Sequence, residues 1–126
     1  MIASELQTVR DIHEAWAWVV IIGNAVAGLW ALAAHWLPAF RAKALWWFVG
    51  AAQVAVVVQA FLGAILVGKY KVPLPQFHAF YGFFAIITIA IIYSYRFQMK
   101  HRLYLLYGGG SLFVMGLGVR ALILHN

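Results

Sequence analysis

Cysteine is absent from the chain. That absence excludes disulfides, thiolate nucleophiles, cysteine-ligated zinc, iron–sulfur clusters and covalently attached c-type heme. Acidic residues are nearly absent: only Glu5, Asp11 and Glu14 occur, all at the start. Charged residues make up 10% of the whole, against about 25% in a soluble domain. An apolar leader is missing too. The segment Met1 to Glu14 is polar and partly acidic, so no cleavable signal peptide is expected.

What fills the chain is apolar. Of 126 residues, 66% are hydrophobic and 17% aromatic, and the mean hydropathy is +0.89. Composition of this kind predicts an integral, multi-pass membrane protein, and the length suits one domain over residues 1–126. The net charge of +6 would suggest nucleic acid in a soluble protein. Here the basic residues lie mostly between apolar runs, as topology signals do, so the expected partner is the lipid bilayer and no nucleic acid.

Residues 1–11 read as an amphipathic, interfacial lead, with a capping box over Ser4/Gln7 or Thr8/Asp11. Four spans follow, at about 12–36, 44–68, 76–95 and 103–124. The predicted fold class is all-α, an up-down four-transmembrane-helix bundle. In the first span His13, Ala17, Val20, Asn24, Ala27, Gly28, Ala31 and His35 form one stripe of mostly small or polar residues. Helices in lipid associate through small side chains and polar contacts, so this stripe is expected to face the bundle. The fourth span carries Gly108, Gly109, Gly110, Gly116 and Gly118, which permit close backbone approach.

The first and third turns carry Arg41, Lys43, Arg96, Lys100 and Arg102; the other side has Arg10, Lys69, Lys71 and Arg120. The positive-inside rule then places both termini on the outer side. The expected location is a bacterial or archaeal cytoplasmic membrane.

Two histidines open spans that run in the same direction. His13 begins the first, and His78 follows the prolines Pro73 and Pro75 into the third. They should lie at similar depth near the outer surface. Facing helices of bundles are where cofactor sites are built, and two imidazoles can ligate one heme iron from both faces. The expected cofactor is heme b, with His13 and His78 as its metal ligands. One turn on from each stands a small residue, Ala17 and Gly82, leaving room for a porphyrin edge. Arg120 suits heme propionates, and Arg10 is a second candidate. The plainer reading makes both histidines interfacial, and Arg120 a side chain that snorkels to the surface. His35 and His101, at the inner ends, are candidates for a second site or for simple interfacial residues; His125, the penultimate residue, is expected to fray. A zinc site is not expected, since Glu14 is the only acid beside a span histidine.

The segment Gln59-Ala60-Phe61-Leu62-Gly63 followed by a histidine-bearing helix, and the helix ending Leu117-Gly118-Val119-Arg120, are similar to motifs of the heme A synthase family. The chain resembles one four-helix half of that family. The resemblance implies a heme-binding half-bundle in which His13 and His78 match the histidines that open paired helices. It departs from the family in having one half, in lacking the long outer loop with its paired cysteines, and in offering only Glu14 as a carboxylate. Leu62-Gly63-Ala64 and Leu117-Gly118-Val119 form a weak internal echo.

Three functions compete at this level. The first is a b-type cytochrome-like subunit that transfers electrons within a redox or respiratory complex. The second is a cofactor-free accessory or assembly subunit, and the third a half-size heme-modifying enzyme. Other membrane subunits or a homo-oligomer are the expected protein partners. A transporter is a weaker option, since Asn24, Gln53, Gln59, Thr88 and Ser94 are sparse for a permeation path.

Overall fold

The computed structural model describes residues 2–73 and 76–123, apart from the side chain of Gln76. It is a four-helix bundle: α1 (Ile2–Trp36), α2 (Lys43–Gly68), α3 (Gln76–Tyr95) and α4 (Leu103–Ile123). Short 3-10 turns at Pro38–Phe40 and Lys100–Arg102 join α1 to α2 and α3 to α4. All four helices are long and apolar enough to cross a membrane. The spans read from the sequence match these helices to within a residue or so, except at the start. There the helix is continuous from Ile2, so Ser4 and Thr8 stand inside it and not at its start. Thr8 donates to the Ser4 carbonyl one turn back, and Gln7 pairs with Asp11 along the helix surface, at 2.8 Å. Side chains at i and i+4 meet on a helix, so these polar residues satisfy themselves without ending it.

α1 packs on α4 and α2, and α3 on α4; α2 and α3 touch only lightly. α1 and α3 therefore stand on a diagonal. The α1–α4 seam is the tightest. A Cβ added at Gly28 would lie 3.0 Å from the Gly108 carbonyl and 2.6 Å from Leu112; one added at Gly108 would lie 3.0 Å from the Leu32 nitrogen. Further along, Gly118 meets Ile21. The descending numbers on α1 and ascending numbers on α4 show that the helices are antiparallel.

The predicted α1 stripe does face inward: Val20, Asn24, Ala27, Gly28 and Ala31 are buried, and His13, Ala17 and His35 half-buried. Small side chains let the helices approach, and the core behind them is built from Leu45, Val49, Val56, Val114 and Leu117. Asn24 is fully buried and donates to the carbonyls of Val20, at 2.9 Å, and Ala52, at 3.4 Å, tying α1 to α2 at mid-span. Asn24 Oδ1 and Ser111 Oγ find no hydrogen-bond partner among the described residues.

One arginine closes the opposite end of the bundle from His13. A helix leaves its last carbonyls unsatisfied. Arg41 reaches back to two of them, with Nε donating to Ala34 at 2.6 Å and an Nη to His35 at 2.8 Å. Its guanidinium also lies 5.2 Å from the Tyr104 ring centre, joining α1 to the start of α4. Replacing Arg41 with glutamine is expected to cost about 1–2 kcal/mol, less than a buried charged bond because the side chain is exposed. Hydrogen exchange should speed up in the last turn of α1 and not at its start; uniform exchange along α1 in both proteins would contradict this.

Candidate functional site

His13 and His78 come together across the diagonal. Their ring centroids are 6.0 Å apart, with an interplanar angle of 75°. The sequence predicted matched depth, and the bundle supplies the reason: both helices run the same way and start at the same end.

His78 is oriented by α4. Its Nδ1 lies 2.8 Å from the Ala121 carbonyl. A carbonyl can only accept, so the Nδ1 carries the proton in this bond. In a neutral ring the lone pair is then on Nε2. His13 is oriented by α2. Gln59 Nε2 donates to the His13 backbone carbonyl at 2.8 Å, and a Cβ added at Gly63 would lie 3.4 Å from His13 Cε1. Trp16, one residue-turn deeper on α1, donates its indole N–H to the Ala55 carbonyl at 2.8 Å. All four helices thus contribute to one end of the bundle.

The separation suits a shared metal. First-row metals hold imidazole nitrogen at about 2.0–2.1 Å, so two rings bound on opposite sides of one ion have centroids roughly 6 Å apart. The same separation is also ordinary for two rings in direct edge-to-face contact. Among the described residues no third histidine or carboxylate joins the pair at metal-binding distance. The pair therefore stands as two imidazoles with no charged side chain completing a metal cluster among the described residues.

The other predicted residues fall around this pair. Arg120 precedes the residue that holds His78; it is exposed, with its guanidinium 5.5 Å from the Tyr81 ring centre. Cation–π contact of this kind parks a guanidinium without consuming its hydrogen-bond donors. Arg10 is half-buried one turn before His13. Ala17, one turn after His13, is half-buried; Gly82, one turn after His78, is exposed, and a Cβ there would meet nothing within 4 Å. The structure brings Arg120 to the level of the histidines and leaves space beside Gly82.

At the opposite end His35 lies edge-on to Trp36, 4.7 Å between ring centroids, and His101 is exposed in the turn before α4. No ring contact joins them among the described residues. His125 lies outside the described residues. Thr88 and Ser94 bond back to the Phe84 and Ala90 carbonyls of their own helix.

Gln59, Gly63 and Trp16 were not singled out as site residues in the sequence. A signal was available for two of them. Gln59 and Gly63 lie four residues apart on one face of α2, within the segment that carries the family resemblance. What they touch depends on how α2 is rotated against α1, which an all-apolar helix does not declare.

The site defines a class: a helical bundle with paired imidazoles at the end where α1 and α3 begin. Beyond that class, comparison with protein-family models, curated proteins and solved structures returned no match.

Proposed function

We propose that this chain is a membrane b-type cytochrome-like subunit that holds one heme b between His13 and His78. The reading is carried by the histidine pair, 6.0 Å apart, with the Nδ1 of His78 committed to the Ala121 carbonyl. His13 and His78 would hold the heme iron from both sides, and a heme so held would supply electron transfer rather than oxygen chemistry. The Ala121 carbonyl that accepts from Nδ1 fixes the orientation of the His78 ring. Gly63 lets the His13 ring lie against α2, Gly82 leaves open space one turn after His78, and the α2–α3 contact is the lightest of the adjacent helix pairs. Arg120, anchored on Tyr81, and Arg10 supply guanidinium groups for the propionates at this end.

Following the distribution of basic residues, the four helices span a bacterial or archaeal cytoplasmic membrane with both ends of the bundle chain on the outer side. The heme then sits near the outer leaflet, shielded from water by Trp16 and Tyr81. The protein acts with other membrane subunits or with copies of itself, since the turns between helices are too short to form a docking domain.

An absorption spectrum of protein purified in detergent, from cells with ample heme, tests this directly. The expected result is a Soret band of a low-spin, six-coordinate heme. Protein that is folded and monodisperse yet shows no Soret band would sink the proposal.

A second reading rests on the same distance. Two imidazoles in edge-to-face contact, one of them bonded to a helix carbonyl, are a sufficient structural plug for a bundle end. That reading makes the chain a cofactor-free accessory or assembly subunit. It predicts a colourless protein whose stability is unchanged by added hemin. The heme-modifying enzyme remains a third proposal, and it alone predicts turnover in a heme O conversion assay.

A further inference from the structure

We infer that Gln59 is the positioning residue for His13, setting the rotation of α1 so that its imidazole meets the axis on which His78 lies. The inference rests on the reading of His13 as an iron ligand and concerns a residue that ligates nothing itself.

The need for such a residue comes from the helix. α1 is apolar around most of its circumference: Trp18, Val19, Ile22, Val26 and Leu29 are exposed on the side away from the bundle. In lipid, burying those groups or leaving them outside differs little, so hydrophobicity does not fix the rotation. The consequence at the site is large. A side-chain tip lies about 5–6 Å from a helix axis, so a 20° rotation carries it roughly 2 Å. Binding constellations tolerate about 0.5 Å.

Asn24 and the Gly28–Gly108 seam hold α1 at mid-span and beyond, and Gln59 adds a constraint at the level of the histidine itself. Its amide Nε2 donates to the His13 carbonyl itself, at 2.8 Å. A carbonyl has two lone pairs, so it accepts this bond in addition to its own helical one. The amide cannot be turned over, because its oxygen would then face the carbonyl oxygen. Gln59 Oε1 is buried and accepts nothing among the described residues, so the bond to His13 is the amide's hold. One turn further along α2, Gly63 faces the His13 ring. One face of α2 therefore grips the backbone of His13 and leaves a flat seat for its side chain. One turn earlier, the Trp16 indole donates in the other direction, from α1 to the Ala55 carbonyl. Two crossing bonds, of opposite sense and at adjacent turns, oppose both rotation and sliding.

The test is Gln59→Leu in full-length protein loaded with heme, compared with wild type and with Arg41→Gln. The leucine variant is expected to keep a Soret band, since His78 is untouched. Its spectrum should shift from low spin toward a mixture with high spin, and its heme affinity should fall about 10–100-fold, as when an outer-shell partner of a metal ligand is removed. Arg41→Gln lowers stability at the far end of the same helix and should leave the spin state alone. A merely structural role for Gln59 would make the two variants alike: both less stable, both low spin. If Gln59→Leu does not yield folded protein, Gln59→Met, of similar length and without a donor, carries the same expectation. A low-spin spectrum with wild-type affinity in either variant overturns the positioning role while leaving the heme reading intact. A wild-type protein without a Soret band overturns the heme reading, and this inference with it.

Discussion

If the proposed heme is held by His13 and His78, replacing His78 with alanine should abolish the low-spin spectrum and weaken heme binding by more than about 100-fold, because removing even an outer-shell partner costs 10–100-fold. Two losses combine in this variant. A heme iron held as proposed would lose one of its two histidine ligands, and α3 loses its bond to the Ala121 carbonyl of α4. The second loss is worth about 0.5–1.5 kcal/mol, so the bundle should survive it, since α3 and α4 share an extended apolar interface. His13→Ala should have the same spectral effect with a different structural one. Its backbone carbonyl, and therefore the Gln59 bond, stays in place. The two alanine variants together thus distinguish ligand loss from helix displacement. Retention of a six-coordinate spectrum in both would mean that the iron, if bound, is held elsewhere.

The second large effect is expected at the α1–α4 seam. Gly108→Val places branched carbons against the Leu32 nitrogen and side chain, where even a single Cβ would come within 3.0 Å of backbone. Backbone cannot swing aside as a side-chain end can, so the helices must separate. Overpacking usually costs 1–3 kcal/mol, and a seam that runs through fixed backbone belongs at or above the upper end of about 3 kcal/mol. Gly28→Val should behave alike, since its Cβ would meet the Gly108 carbonyl. Gly116→Ala is the matched comparison: nothing lies within 4 Å of its added carbon, and alanine favours helix over glycine by about 0.8–1.0 kcal/mol. Thermal melting in detergent should therefore rank Gly116→Ala at or above wild type and Gly108→Val far below it. Equal melting of the two variants would show that the seam is not where the bundle is held. Gly110 is an intermediate case, since its added carbon would meet only the Ile92 side chain.

Much of the architecture is legible in the sequence, for a plain reason. Crossing a membrane demands a long apolar run, and Arg41, Lys43, Lys69, Lys71, Arg96 and Lys100 punctuate those runs unmistakably. The inward face of α1 is legible too, because Asn24 and Gly28 are conspicuous against Trp18 and Leu29. The faces of α2 are not. Its apolar residues surround the axis, so nothing in the order of Val54, Val57, Val58 and Phe61 says that Gln59 and Gly63 point at His13. The glycine run in α4 is legible only in kind. Gly108 and Gly110 do admit neighbours, whereas Gly109 is exposed and meets nothing. For the site, the histidine pair and the level of Arg120 follow from counting residues along parallel helices. The Ala121 carbonyl that orients His78 does not, because a backbone atom leaves no mark in the sequence.

The uninterrupted first helix has a mechanical consequence. Its 35 residues make a single rod about 52 Å long, and His13 lies roughly a third of the way along it. The turns before His13 carry Glu5 and Asp11 and are largely exposed. No hinge separates them from the imidazole: no proline occurs in α1, and the helix is unbroken from Ile2 onward. The rod carries force and twist along its axis, so whatever grips its first turns loads the Gln59 bond at His13 directly. A fusion or antibody placed there is a load on the histidine pair, whereas one attached to the basic turn at Lys100–Arg102 pulls on the far end of the bundle.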